Sequence, residues 1–178
     1  MAPTLPPPEQ RPMIVTAWIA EEDLAPFTAI RQRFFPADRN YLEAHLTLFH
    51  HIPATLRSDF LAAARKSCEA LQSHTLRVLP PFLLGRGVAY GVEAGALGEL
   101  REALRREFSH ALTPQDDRSW KRPHLTVQNK VTSAAARHLH RHLLARYLPC
   151  QLRVRGLYCY TYDGGPWTPI DRLPFGKP

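Results

Sequence analysis

Two histidines in the sequence are each followed, two residues later, by a threonine. His45 and Thr47 stand in the run Ala-His-Leu-Thr-Leu, and His124 and Thr126 stand in the run Pro-His-Leu-Thr-Val, at an offset of 79 residues. Both runs are typical of β-strands, in which side chains alternate between two faces. We therefore expect the histidine and threonine side chains on one face and the apolar ones on the core face.

Two imidazoles and two hydroxyls that converge on one cleft are suited to displacement at phosphorus. Imidazole titrates near pH ~6.5, so one neutral histidine can act as general base while a protonated one acts as general acid. Threonine hydroxyls can donate hydrogen bonds to the non-bridging phosphate oxygens, where charge must be held in the transition state. No carboxylate cluster accompanies the histidines. The pattern therefore demands neither a metal nor a cofactor.

A single His-x-Thr pattern is more often structural than catalytic, but the surroundings of these two are also repeated. Leu76-Arg-Val78 matches Leu152-Arg-Val154 at an offset of 76 residues, and glycine turns follow at Gly85-Arg-Gly87 and Gly164-Gly165. Matches in the same order at nearly one offset indicate an internal duplication. The duplication favours the catalytic interpretation, because pseudo-two-fold symmetry allows both polar faces to line one cleft.

The order of predicted elements supports an α+β fold of two pseudo-symmetric halves, each an antiparallel sheet backed by helices. Residues 1–12 are expected to be a flexible leader, residues 13–178 a single bilobal domain, and its duplicated halves about 13–84 and 85–173. Hydrophobic periodicity and turn residues predict strands over 13–20, 45–52, 75–79, 88–92, 124–131, 152–154, 157–162 and 167–171, and helices over 24–35, 56–72, 96–112 and 134–148.

Composition narrows the class of partner. Lys and Arg outnumber Asp and Glu by 23 to 16, a net charge of +7 that suits RNA, DNA or a phosphorylated small molecule, although an arginine-rich surface without such a partner would have the same charge. No apolar run is long enough to span a membrane. Three cysteines, Cys68, Cys150 and Cys159, give no disulfide framework and no zinc motif. We expect a monomer in the cytoplasm.

The sequence resembles the two-histidine (2H) phosphoesterase superfamily, which includes the bacterial 2′-5′ RNA ligase-like proteins and the 2′,3′-cyclic nucleotide phosphodiesterases. The runs His45-Leu-Thr-Leu-Phe49 and Arg122-Pro-His-Leu-Thr-Val127 match its two signatures. The resemblance covers about residues 13–175. It implies two lobes with a central groove (a LigT-like fold) and leaves the substrate open among RNA ends, small cyclic phosphates and nucleotide conjugates.

The resemblance also implies that His45, Thr47, His124 and Thr126 are catalytic without a metal. The leading functional interpretation is hydrolysis of a 2′,3′-cyclic phosphate at an RNA end or on a nucleotide. Two alternatives stay open at this point. One is 2′-5′ RNA ligation, with an RNA 5′-hydroxyl in place of water, and the other is a non-catalytic RNA-binding module.

Four further residues are candidates for substrate binding. By strand parity Phe49, Gln128 and Lys130 lie on the predicted cleft face, where an aromatic ring could stack on a base and a lysine could hold a phosphate. Tyr90 follows the first glycine turn at a place similar to that of Trp167 after the second. The competing interpretation is that the aromatic residues belong to the core and that Lys130 is a solvated strand end.

Overall fold

A computed structural model describes residues 5–176. Over these residues the chain forms seven strands and four α-helices, which confirms the predicted α+β class. In chain order the elements are β1 Met13–Ile19, α1 Glu21–Phe34, β2 Thr47–Ile52, α2 Arg57–Glu69, β3 His74–Leu83, β4 Val88–Val92, α3 Gly95–Phe108, β5 His124–Gln128, α4 Ser133–Leu144, β6 Cys150–Tyr162 and β7 Trp167–Pro174. None of these helices is long and apolar enough to cross a membrane.

The described strands form one antiparallel sheet in the order β2-β1-β6-β3-β4-β5. This order is symmetric. Strands β1, β2 and β3 hold the same places, counted from one end of the sheet, as β4, β5 and β6 hold counted from the other end. The third strand of each predicted half therefore pairs with the other half, and the symmetry axis runs between β6 and β3. Strand β7 pairs with the part of β6 that β3 leaves free.

The two outer strands of this sheet meet each other. An antiparallel bridge joins Leu46, directly before β2, to Leu125 in β5. Because β2 and β5 stand at opposite ends of the strand order, the bridge closes the sheet on itself. The closure brings together two segments that are 79 residues apart in the sequence.

Apolar side chains fill the space between the sheet and its helices. Met13, Val15, Ala17 and Ile19 alternate along β1 and are buried in the same cluster as Phe60, Ala64 and Cys68 on one stripe of α2. Helix α1 packs against β5, helix α4 packs against β3, and α2 packs against β7 and α3. Each of the two His-x-Thr segments is thus backed by a core that is built from both halves of the chain.

The expected leader, residues 1–12, lies partly outside the described residues, because the description starts at residue 5. Its described portion forms a 3-10 turn at Pro8–Gln10. Arg11 makes an ion pair of 2.6 Å with Asp163 before β7, and Arg57 of α2 donates hydrogen bonds to the carbonyls of Pro8 and Arg11. This portion is therefore attached to both α2 and the turn between β6 and β7.

Two strands are longer than the sequence pattern predicts. Strand β3 continues through Pro80-Pro81 to Leu83, because its pairing with β4 is irregular between Val78 and Pro81, where prolines are tolerated. The predicted strands 152–154 and 157–162 are one strand, β6. A Cβ at Gly156 would lie 2.1 Å from the carbonyl oxygen of Leu173, so glycine is required where β7 approaches the backbone.

Candidate functional site

The bridge between Leu46 and Leu125 places the two His-x-Thr motifs side by side. In an antiparallel register, the residues that flank the bridge are His45 opposite Thr126 and Thr47 opposite His124. Both bridging leucines are fully buried, and the four flanking side chains are partly exposed. The fold therefore brings together all four residues that the sequence predicts to be catalytic.

Both histidine rings are oriented by the backbone. The Nδ1 atom of His45 donates to the carbonyl oxygen of Glu43 at 2.7 Å, and Nδ1 of His124 donates to the carbonyl oxygen of Arg122 at 2.8 Å. A carbonyl only accepts, so Nδ1 carries the proton in each ring. Nε2 is then the nitrogen available for chemistry at both positions.

Each histidine also lies beside an aromatic ring from another strand. The His45 ring lies 4.7 Å from Trp167 of β7, measured between ring centroids. The His124 ring meets Phe82 of β3 edge-to-face at 6.0 Å, and the guanidinium of Arg122 lies 4.3 Å above the Phe82 ring. Each histidine therefore has an aromatic neighbour, which is an indole at His45 and a phenyl ring at His124.

The environment keeps His45 neutral. Its pKa is lowered to about 4, mainly because surrounding protein atoms desolvate the imidazole and to a smaller extent by the positive charge of Arg31, whereas the hydrogen bond to Glu43 opposes the shift. At pH 7 the Nε2 atom of His45 is therefore an unprotonated acceptor.

A buried arginine links the two motifs. Arg31 of α1 is 5% exposed. Its Nε donates to the side-chain oxygen of Asn40 and to the carbonyl of Leu42, and one terminal nitrogen donates to the carbonyl of Thr126 at 3.0 Å. One guanidinium thus holds both the loop that leads to His45 and the strand that carries the second motif.

A second buried arginine, Arg101 of α3, holds the first motif. It donates to the carbonyls of Leu48, Asp116 and Arg118 at 3.1, 2.8 and 2.6 Å. The Asp116 carboxylate in turn accepts from the backbone of His50. Burial would raise the pKa of Asp116, but hydrogen bonds from His50 and the neighbouring backbone outweigh it and lower the pKa. The hydrogen bonds of Arg101 and Asp116 therefore hold strand β2 in place.

Neither arginine is predicted from the sequence, although the sequence carries a signal for both. Arg31 follows Phe27 by four residues and Leu24 by seven, which places it on the apolar stripe of α1. Arg101 lies in the same way between Leu97 and Leu104 on α3. A basic residue on a buried stripe requires hydrogen-bond acceptors, and the strand carbonyls supply them.

A groove of about 720 Å³ opens at His45 and extends away from the second motif. We call it the aromatic groove. Its floor is the face of β1, β6 and β7 that points away from α2, and its wall is α1 with the loop over residues 41–45. The floor is formed by Thr16, Trp18, Tyr158, Tyr160, Trp167 and Arg172. The groove reaches His45 but not His124.

The prediction that Phe49 lines the cleft is wrong. Phe49 is fully buried and packs edge-to-face on Phe60 with ring centroids 5.1 Å apart. The cause is an irregularity in the pairing of β1 with β2, where Val15 pairs with Phe49 but the next residue, Thr16, pairs with Thr47. The extra residue breaks the alternation, so that the side chain after it turns into the core.

The prediction for Gln128 fails for the same reason. Val88 pairs with Gln128 and Ala89 with Thr126, so β5 carries an extra residue at the position equivalent to that in β2. Gln128 is only 5% exposed, and its Oε1 atom has no hydrogen-bond partner among the described residues. This amide belongs to the interior.

The last two predicted contacts also lie away from the groove. Tyr90 is buried and packs on Phe27 of α1, with ring centroids 5.0 Å apart. Lys130 lies beyond the end of β5 in a left-handed backbone conformation, with φ of 58° and an exposed side chain. Neither residue lines the aromatic groove.

Comparison with known proteins supports the fold. Solved structures with the same fold include TT0787 of Thermus thermophilus (19% identity, 94% of this chain and all of that chain covered, TM-score 0.63) and E. coli LigT complexed with 3′-AMP (17%, 94% and 99%, TM-score 0.59). A comparison with curated protein sequences finds no match. The sequence profile of the 2′-5′ RNA ligase superfamily matches residues 19–166. The predicted resemblance is confirmed, and the chain belongs to the 2′-5′ RNA ligase superfamily of two-histidine phosphoesterases.

Proposed function

We propose that the protein is a metal-independent phosphodiesterase that hydrolyses 2′,3′-cyclic phosphates of RNA ends or nucleotides. The supporting observation is the bridge register, which sets each histidine opposite the threonine of the other motif. A phosphate between the two strands would meet a nitrogen and a hydroxyl from each side. E. coli LigT, which shares the fold, was crystallised with 3′-AMP, and this agrees with a nucleotide ligand.

In the proposed reaction His45 is the general base and His124 the general acid. The neutral Nε2 of His45 takes a proton from water as the water oxygen bonds to phosphorus. The bond from phosphorus to one ribose oxygen breaks, and that oxygen receives the proton on Nε2 of His124. The hydroxyls of Thr47 and Thr126 donate to the non-bridging oxygens, where negative charge is held. The product is a phosphomonoester beside a free hydroxyl, and exchange with solvent restores both histidines.

The roles are assigned from the electrostatics of the site. A general base must be unprotonated at working pH, and the lowered pKa of His45, about 4, satisfies this requirement. The hydrogen bond from Nδ1 of His124 to the carbonyl of Arg122 fixes the ring with Nε2 free. A protonated His124 then has an Nε2 proton to donate to the leaving oxygen.

RNA ligation is a second candidate, favoured by the family to which the chain belongs. An RNA 5′-hydroxyl would take the place of water, His45 would accept its proton, and a phosphodiester bond would form as the cyclic phosphate opens. The same two histidines serve this step in either direction. A purely RNA-binding role is less consistent with two intact and juxtaposed motifs.

RNA that ends in a 2′,3′-cyclic phosphate tests the proposal. We expect conversion to a phosphomonoester in the presence of EDTA, and the chromatographic appearance of a longer product on adding a 5′-hydroxyl acceptor would identify ligation. His45→Ala should abolish most turnover, whereas His138→Ala, an exposed histidine on α4, should not. Activity that is lost with chelator and restored by zinc or manganese would contradict the proposal.

That the protein is a monomer in the cytoplasm stays a prediction.

A further inference from the structure

The floor of the aromatic groove carries an unbroken series of planar groups in contact with one another, which starts at His45 and whose ring planes are tilted by 37° to 59°. Trp167 contacts His45, and the ring of Tyr160 lies 5.5 Å from Trp167 and 4.3 Å from Tyr158. The guanidinium of Arg172 continues the series, 4.4 Å above the Tyr158 ring and 5.2 Å from the Trp18 ring. We call these groups beyond His45 the stacking track.

The stacking track is not part of the hydrophobic core. Tyr158 and Tyr160 are partly exposed, whereas the residues that alternate with them, Leu157 and Cys159, are fully buried against the helices. Trp18 is also partly exposed, on the same sheet face. The rings of the track are therefore partly accessible to a ligand in the groove.

The track is longer than one nucleoside. Trp18 pairs with Gly156 on β6, and Trp167 pairs with Tyr162 on the same strand. These two positions on β6 are six residues apart, which corresponds to about 20 Å at ~3.3 Å per residue. A single base could cover only one end of it.

The charges around the groove do not suit recognition of a phosphate backbone alone. Glu21, Glu22 and Glu43 line the groove together with Arg155 and Arg172. Glu22 is paired with Arg153 at 2.8 Å and lies 3.9 Å from Arg155. Carboxylates therefore balance the guanidiniums, and the planar groups are the main feature that a ligand can use. Bases stack well on aromatic rings and on guanidinium planes, and only unpaired bases expose their faces.

We propose that the stacking track binds the bases of single-stranded RNA on the 5′ side of the reactive phosphate. The natural substrate is then a strand of several nucleotides, not a mononucleotide. This inference rests on the proposed function for the position of the reactive phosphate. A 2′,3′-cyclic phosphate terminates its strand, so the remaining nucleotides extend from the catalytic site in one direction, along the groove that opens at His45.

Turnover of two substrates tests the track. The ratio of kcat/KM for a tetranucleotide with a 2′,3′-cyclic phosphate end to kcat/KM for a cyclic mononucleotide measures the use of distant bases. We expect a ratio well above one for the unmodified protein. Trp18→Leu, which keeps apolar bulk but removes the aromatic face, should lower the ratio about 5- to 150-fold, the equivalent of ~1–3 kcal/mol for one stacked base. Trp18→Phe should retain most of it.

Arg172 separates stacking from charge. Arg172→Lys keeps the positive charge but loses the planar group, so a stacking track predicts a fall in the ratio. A ratio near one for the unmodified protein, or a ratio that Trp18→Leu and Arg172→Lys leave unchanged, would overturn the proposal. Thermal unfolding of each variant shows whether a change in the ratio reflects loss of the fold.

A binding measurement keeps this inference distinct from the proposed function. If neither cyclic phosphate is hydrolysed, the proposed function fails, but the track still predicts binding of a fluorescent single-stranded RNA with an ordinary 3′-hydroxyl. Trp18→Leu should weaken that binding by a similar factor at low and at high salt, because stacking releases few counterions. Equal binding of duplex and single-stranded RNA, or no effect of Trp18→Leu, would refute the track independently of catalysis.

Discussion

Trp167→Ala should move the acid limb of the pH–rate profile upward. The centroid of the Trp167 ring lies 4.7 Å from that of His45, and desolvation is the largest cause of the low pKa of that histidine, about 4. Removing the indole admits water to the imidazole, and hydration favours the protonated form. The general base would then lose activity at a higher pH than in the unmodified protein.

The size of the shift is bounded by the ordinary pKa of histidine, ~6.5. If Trp167 supplies most of the burial, the limb moves from about 4 to about 6. At pH ~5 the fraction of neutral His45 would then fall from about nine-tenths to about one-tenth. The rate at pH ~5, relative to the plateau, should therefore fall about tenfold.

The assay is kcat/KM for a 2′,3′-cyclic mononucleotide across the pH range, because kcat/KM reports the free enzyme and the diester keeps one charge throughout. Phe82→Ala is the matched control, since Phe82 contacts His124 and not the base. A limb near pH ~6.5 in the unmodified protein would refute the assignment of His45 as a base with a lowered pKa. So would a limb that Trp167→Ala leaves in place, or that Phe82→Ala moves equally.

The same shift makes stability depend on pH. Folded His45 binds fewer protons than unfolded His45 between about pH 4 and ~6.5, so its contribution lowers the free energy of unfolding as the pH falls through this window. Below about pH 4 the full penalty is present. Trp167→Ala should flatten the dependence, and denaturant titrations at several pH values measure it.

Three further sets of variants test other parts of the site. Single changes His45→Ala and His124→Ala should each lower the rate by ~10²–10⁴-fold. The double variant should lose far less than the product of the two single losses, because the pair acts as a unit. Turnover by the double variant at the wild-type rate would show that the active site lies elsewhere. Arg31→Met should lower the free energy of unfolding by about 1–3 kcal/mol, measured in denaturant, and reduce kcat/KM. Arg31→Lys should restore neither stability nor kcat/KM, because an ammonium cannot reproduce the planar donor geometry. Full restoration by lysine would argue against a positioning role for Arg31. Gln128→Leu should leave the free energy of unfolding unchanged or raise it by about 1 kcal/mol, since it removes a buried amide oxygen that lacks a partner among the described residues. A large fall in kcat/KM would instead indicate that Gln128 contacts the substrate.

Local sequence patterns determined the class of fold and the four central residues. His45 and His124 could be found because duplication repeats the same polar and apolar alternation, and alternation along a strand depends only on backbone geometry. The four helices and most strands could be placed for a similar reason. Helical and extended segments each have a fixed side-chain period, and glycine and proline interrupt them at known positions.

Pairing between distant strands determined which side chains are buried and which groups meet, and the periodicity of the sequence could not predict either. Phe49 and Gln128 turn into the core because their strands each accommodate an extra residue against a partner strand, and a bulge depends on both strands of a pair. The stacking track has the same origin, since Trp18 comes from the first strand and Trp167 from the last, and only their common neighbour β6 aligns them. The low pKa of His45 arises from desolvation by its surroundings, which include Trp167, a residue distant in the chain. A period of two places a side chain on one face of a strand, but the tertiary structure alone determines what covers that face.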